Sequence, residues 1–147
     1  MGMVLSKNHK TEIPRYCIFF DTESYTKIGI DEEDLKNTLE GKEIKNKHDL
    51  YLISANFCTR NKKNEWIENK INYVREYNSN FNSKFWIDVA NYCGPKKKVW
   101  LFAHNAKYDV LVSGAVPELI KLGFTVQAFS DSNPFFMTFK KKICPCC

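Results

Sequence analysis

Short, dense apolar runs alternate along this chain with longer polar stretches. Arg15 to Asp21 (RYCIFFD) is aromatic-rich, too short for a helix, and bounded by Pro14 and an acid, so it predicts a strand buried on both faces. Leu50 to Cys58 (LYLISANFC) predicts a second strand, and residues 60–64 a polar turn. Between Glu65 and Val74, the positions of Trp66, Ile67, Ile71 and Val74 fit a strand and a helix equally well. Phe81, Phe85, Trp86, Val89 and Tyr92 form one apolar helical face, which Gly94-Pro95 stops. Val99 to Ala103 (VWLFA) predicts another short buried strand. Val110, Leu111, Leu119 and Leu122 predict helix over 108–122, closed by Gly123 and kinked or split by Pro117. Phe124 to Phe129 and Phe135 to Phe139 predict two last strands, joined by a turn-rich Ser-Asp-Ser-Asn-Pro. The polar stretch 25–48 reads as a surface insertion, with a helical turn or two over 31–39 ended by Gly41. Strands, helix, strand, helix and strands in that order predict an α/β fold, a mixed sheet flanked by helices.

At 147 residues the chain suits one domain, spanning 15–140, with a polar leader at 1–14 and a Cys-rich tail at 141–147. Hydrophobic residues make up 44% and charged ones 27%, which excludes a disordered or fibrous chain. No apolar run approaches the roughly 18–20 residues of a membrane-spanning helix, so no membrane partner is expected. The N-terminus lacks the apolar stretch of a secretory signal, so a cytoplasmic, non-secreted protein is expected. Met1-Gly2 with Ser6 meets only the bare outline of a myristoylation signal. Cys17, Cys58 and Cys93 lie in apolar surroundings and read as reduced core residues. Cys144, Cys146 and Cys147 read either as half a zinc site or as a frayed tail. A net charge of +5 is compatible with a polyanionic partner.

Two segments carry candidate chemistry. In Phe19-Phe20-Asp21-Thr22-Glu23-Ser24, strand alternation puts Asp21 and Glu23 on one face, their carboxylates within reach of a shared ion. In Phe102-Ala103-His104-Asn105-Ala106-Lys107-Tyr108-Asp109, a strand hands over to a helix bearing Asp109. Neighbouring carboxylates repel unless a cation holds them, and a set of oxygen ligands suits Mg²⁺ or Mn²⁺ better than zinc. Asn105 and Asp109 also suit a bland role at the start of a helix, as cap and first-turn acid, and both readings can hold together.

At these residues the chain resembles the first two motifs of the DEDD 3′–5′ exonucleases. It is most similar to the proofreading domains of protein-primed family B DNA polymerases. The resemblance implies a ribonuclease-H-like fold and hydrolysis of phosphodiester bonds at the 3′ end of single-stranded DNA. It implies Asp21, Glu23 and Asp109 as catalytic ligands of a two-ion Mg²⁺ or Mn²⁺ site. It places Thr22, Ser24, Asn105 and Tyr108 against the single strand and gives His104 no catalytic step. The family also carries a fourth carboxylate in a third motif, which the chain does not reach before Cys147. The expectation is therefore a fold incomplete at the C-terminus, from a truncated gene or as the N-terminal piece of a longer protein, and either a stand-alone nuclease or the exonuclease part of a DNA polymerase with a polymerase domain as partner. Two alternatives stand beside it: a ribonuclease of the same fold acting on RNA ends, and a non-catalytic remnant that holds nucleic acid without cutting it. Lys96 to Lys98 and Lys140 to Lys142 read either as a path for phosphates or as solvated loops.

Overall fold

The computed structural model describes residues 14–25, 32–41, 49–132 and 134–142. The leader, the tail thiols Cys144, Cys146 and Cys147, and parts of the 25–48 stretch lie outside the described residues. Strands β1 (Tyr16–Ser24), β2 (Leu50–Arg60) and β3 (Trp66–Val74) form an antiparallel meander. Helix α2 (Phe81–Cys93) then crosses the sheet, so that β4 (Trp100–Ala103) pairs parallel to β1 on its free side. The sheet order is β3-β2-β1-β4. Helix α1 (Glu32–Leu39) precedes β2, while α3 (Ala106–Val112) and α4 (Ala115–Lys121) follow β4. β5 (Phe124–Ser130) and β6 (Phe136–Lys141) make a separate antiparallel pair. The protein is thus α/β, with a mixed sheet and packed helices. The ambiguous segment after residue 65 is a strand, because it completes a nine-pair register against β2.

Alternation divides β1 into two faces. Ile18, Phe20 and Thr22 are buried, whereas Phe19, Asp21 and Glu23 point to solvent. Ile53, Ala55, Phe57 and Tyr73 join the buried face, and α2 covers it with Phe81, Phe85, Trp86 and Val89. The Phe85 ring lies 5.3 Å from Phe20, 5.3 Å from Tyr73 and 4.7 Å from Trp86, centroid to centroid. Two polar bonds fix α2 in place. Trp86 donates its indole N–H to the Ser113 carbonyl at 3.0 Å, and Tyr73 donates its hydroxyl to Asp88 at 2.7 Å. Burial and the Asp88 carboxylate together push the Tyr73 phenol well above its usual range.

Two expectations need correction. β1 and β4 are not buried on both faces, since Phe19 is 49% exposed, Trp100 45% and Phe102 40%. These rings lie nearly parallel, 5.2 Å apart for Phe19–Phe102 and 6.4 Å for Trp100–Phe102, with the Lys98 ammonium 5.1 Å from Trp100. Among the described residues one layer of helices covers one face, and an apolar run does not reveal which face stays open. Nor does Pro117 break the third helical region. The break lies at Ser113–Gly114, where Gly114 has φ 72°, and Pro117 sits in the first turn of α4, where a missing N–H removes no helical bond. Helix α1 buries Leu35 and Thr38 and packs against α4, so within the 25–48 stretch this helix contributes to the interior.

Phe85→Ala removes the ring on which Phe20, Tyr73 and Trp86 converge. Its cost in urea unfolding is expected at about 3–5 kcal/mol; a loss below about 1 kcal/mol would contradict this description of the core.

Candidate functional site

Parallel pairing of Cys17–Phe20 with Trp100–Ala103 carries β1 and β4 to the same end of the sheet. β4 stops at Ala103, and the turn through His104 and Asn105 starts α3. β1 runs four residues further against β2 alone, through Asp21, Thr22, Glu23 and Ser24. The start of α3 therefore lies beside the last part of β1. There the Thr22 hydroxyl donates to Asp109 Oδ1 at 2.6 Å, a buried bond between residues 87 positions apart. The other oxygen, Asp109 Oδ2, accepts the backbone N–H of Asn105 at 3.1 Å. Asn105 makes no capping bond with its own side chain, so the carboxylate four residues on satisfies the helix start instead.

Asp109 is 2% exposed. Burial pushes its carboxyl above the ordinary value of 3.8, and the nearby negative charge of Asp21 adds to that rise. The bonds from Thr22 and Asn105 favour the ionised form and oppose it. Asp21 thus lies close enough to Asp109 for its field to be felt. Glu23 shares the solvent face with Asp21, two residues further along β1. Among the described residues no three His, Cys, Asp or Glu side chains are gathered about one point. The donor chemistry nonetheless fits a hard cation. Asp21, Glu23 and Asp109 offer only carboxylate oxygens, the donor type a hard cation takes.

The four residues expected against a single strand divide in two. Asn105 is exposed, and its amide faces no capping duty. Tyr108 is half-buried, with its hydroxyl 2.6 Å from Ser24 Oγ, so these two side chains brace each other across the β1–α3 seam. Thr22 stands apart: only 7% exposed, it turns inward to Asp109, because alternation sets it opposite Asp21 and Glu23. Lys107 pairs with Asp131 at 2.7 Å, which ties the β5–β6 loop to the start of α3. Lys97 lies over the Tyr16 ring at 5.0 Å, and Lys140, Lys141 and Lys142 line an open groove of about 420 Å³ with Thr125 and Gln127. Sequence reading passed over Tyr25, Tyr51 and Arg75, which cluster just past Glu23. The one signal for them was parity, since Tyr25 continues the 21, 23, 25 series of solvent-facing positions.

The raised Asp109 carboxyl sets a sign for stability. Between its ordinary range and its native value, the folded state holds a proton that the unfolded chain has released. Stability then falls as pH rises, by at most about 1.4 kcal/mol per pH unit. Asp109→Asn can pair its amide oxygen with the Asn105 N–H and its NH₂ with the Thr22 oxygen. Urea unfolding is expected to show this variant gaining on the wild type from pH 4 to 7. A pH-independent difference would refute the assignment. Thr22→Val is expected to cost about 1–3 kcal/mol at neutral pH and less in acid, because it strips a partner from a buried carboxylate. No protein-family model, no curated protein and no solved structure matches this chain.

Proposed function

We propose that this chain is a metal-dependent 3′–5′ exonuclease domain of ribonuclease-H-like fold. Its substrate would be the 3′ end of single-stranded DNA, and its setting the proofreading part of a DNA polymerase. The observation that carries the reading is convergence. Two sequence motifs more than eighty residues apart meet at one end of the sheet, with Thr22 bonded to Asp109 and Asp21 within its electrostatic reach. The sheet order, with β4 parallel to β1 beside an antiparallel meander, supports the ribonuclease-H-like reading.

Asp21, Glu23 and Asp109 would hold Mg²⁺ or Mn²⁺, which when bound supplies an activated water and stabilises the leaving 3′ oxygen. The protein's own share is positioning. Thr22 and the Asn105 N–H hold the Asp109 carboxylate in a fixed orientation. Asn105 offers its exposed amide to the strand end. The Tyr108 ring, anchored through Ser24, offers an aromatic surface that tolerates any base. A second reading, binding without cleavage, is favoured by one observation: Asp109 is buried with both oxygens already engaged.

A 5′-labelled single-stranded DNA oligomer incubated with Mn²⁺ or Mg²⁺ is expected to shorten stepwise. Asp21→Ala is expected to slow this at least about a hundredfold, the scale of several kcal/mol of lost charge stabilisation. No shortening by the wild type would overturn the catalytic reading in favour of the binding one. In a thermal melt, Mn²⁺ at ten times its Kd is expected to stabilise the wild type by about 1.4 kcal/mol. Asp21→Ala is expected to lose most of that gain; equal gains in both proteins would exclude Asp21 as a ligand.

A further inference from the structure

Past Glu23 the register between β1 and β2 slips by one residue, so that Ser24 opposes Leu50 and Tyr51 is left over as a bulge. The slip brings Tyr25 and Tyr51 together, ring centroids 4.4 Å apart and 27° from parallel. The Arg75 guanidinium stands 5.8 Å from the Tyr25 ring. Arg75 is held by the Asp49 carboxylate and reaches the Leu50 carbonyl at 3.4 Å, while the Tyr25 N–H bonds the Asp49 carbonyl at 3.1 Å. The backbone, one ring and the guanidinium are all fixed, yet Tyr25 remains 70% exposed. Burial does not explain a ring so bare, because most of its apolar surface still meets water. What the arrangement offers is a pre-oriented aromatic face with a cation at its edge.

We propose that Tyr25, backed by Tyr51 and flanked by Arg75, is a nucleotide subsite: a base stacks on the Tyr25 ring and the adjoining phosphate meets the Arg75 guanidinium. Its place supports this. Tyr25 lies two residues beyond Glu23, just past the end of the strand that carries Asp21, and is open to solvent. Stacking on an aromatic ring accepts every base, which suits an end-directed activity that must read no sequence. The Arg75–Asp49 pair is an obstacle only in part, since both side chains are about half-exposed and such surface pairs are weak. Guanidinium has five donors, so a phosphate can be met without the carboxylate leaving. The choice of nucleic acid as ligand rests on the exonuclease reading; the geometry of the stack does not.

The test is fluorescence anisotropy of a labelled hexathymidylate in EDTA, where no metal-dependent cleavage can run. Tyr25→Ala is expected to weaken binding about 5- to 150-fold, the worth of one stacked base. Tyr25→Phe is expected to bind like the wild type. Trp66→Ala, an exposed aromatic at the opposite end of the sheet, is expected to change nothing. Arg75→Gln is expected to lower the slope of log K against log salt by about one phosphate's share. Circular dichroism of Tyr25→Ala should match the wild type, since the ring is mostly solvated. Wild-type binding unaffected by Tyr25→Ala, or no wild-type binding at all, would overturn the subsite. If cleavage depends on Asp21 but Tyr25→Ala binds normally, the subsite fails and the exonuclease stands. If binding depends on Tyr25 but no cleavage occurs, the subsite stands and the exonuclease fails.

Discussion

Everything in this domain depends on one crossing. β3 runs parallel to β1 and β4, so the chain must return over the sheet between β3 and β4, a passage that needs a dozen residues or more. α2 makes that passage and covers the core with Phe81, Phe85, Trp86 and Val89 as it goes. Were its apolar face weaker, β4 would have no reason to lie beside β1, and the two acidic motifs would not share an end of the sheet. The Trp86–Ser113 bond then fixes α2 to the junction of α3 and α4, so the helix that spans the sheet also sets the helix that carries Asp109.

The site uses the two faces of a single strand for opposite purposes. On the inner face Thr22 locks a buried carboxylate; on the outer face Asp21 and Glu23 stay in water. A charge is costly to bury, and the hydrogen bonds from Thr22 and Asn105 to Asp109 offset part of that cost without removing it. The arrangement keeps one acid buried and fixed while Asp21, whose charge reaches it, stays in water.

Much of this was legible from pattern alone. The apolar spacing located α2 to within a residue of its start, and alternation put Asp21 and Glu23 together on one face. What pattern does not contain is the identity of the covering layer. Phe19, Trp100 and Phe102 look like core in the sequence, and only the single helical layer among the described residues leaves them bare. Thr22 is a similar case. Its direction followed from alternation, but not that α3 would arrive on that side with a carboxylate to receive its hydroxyl. The Tyr25–Tyr51–Arg75 cluster depends on a register slip, which has no local signature in residue type. Gly114, not Pro117, ends α3, because proline is harmless in a first turn and the left-handed φ is not.

Cys17 and Cys58 stand directly opposite each other in the antiparallel register, both reduced and both buried. Paired positions in such a ladder keep their Cα atoms about 4.5–5.5 Å apart, inside the span of roughly 4.4–6.8 Å that a disulfide bridges. Distance therefore does not keep these thiols apart from oxidation. Protonation does: burial pushes both thiols up, so little thiolate exists to react. Water reaching the β1–β2 seam would remove that restraint, and an oxidant able to take up two electrons and two protons could then join the paired thiols, so that any transient opening of the sheet's central pair exposes it to being locked.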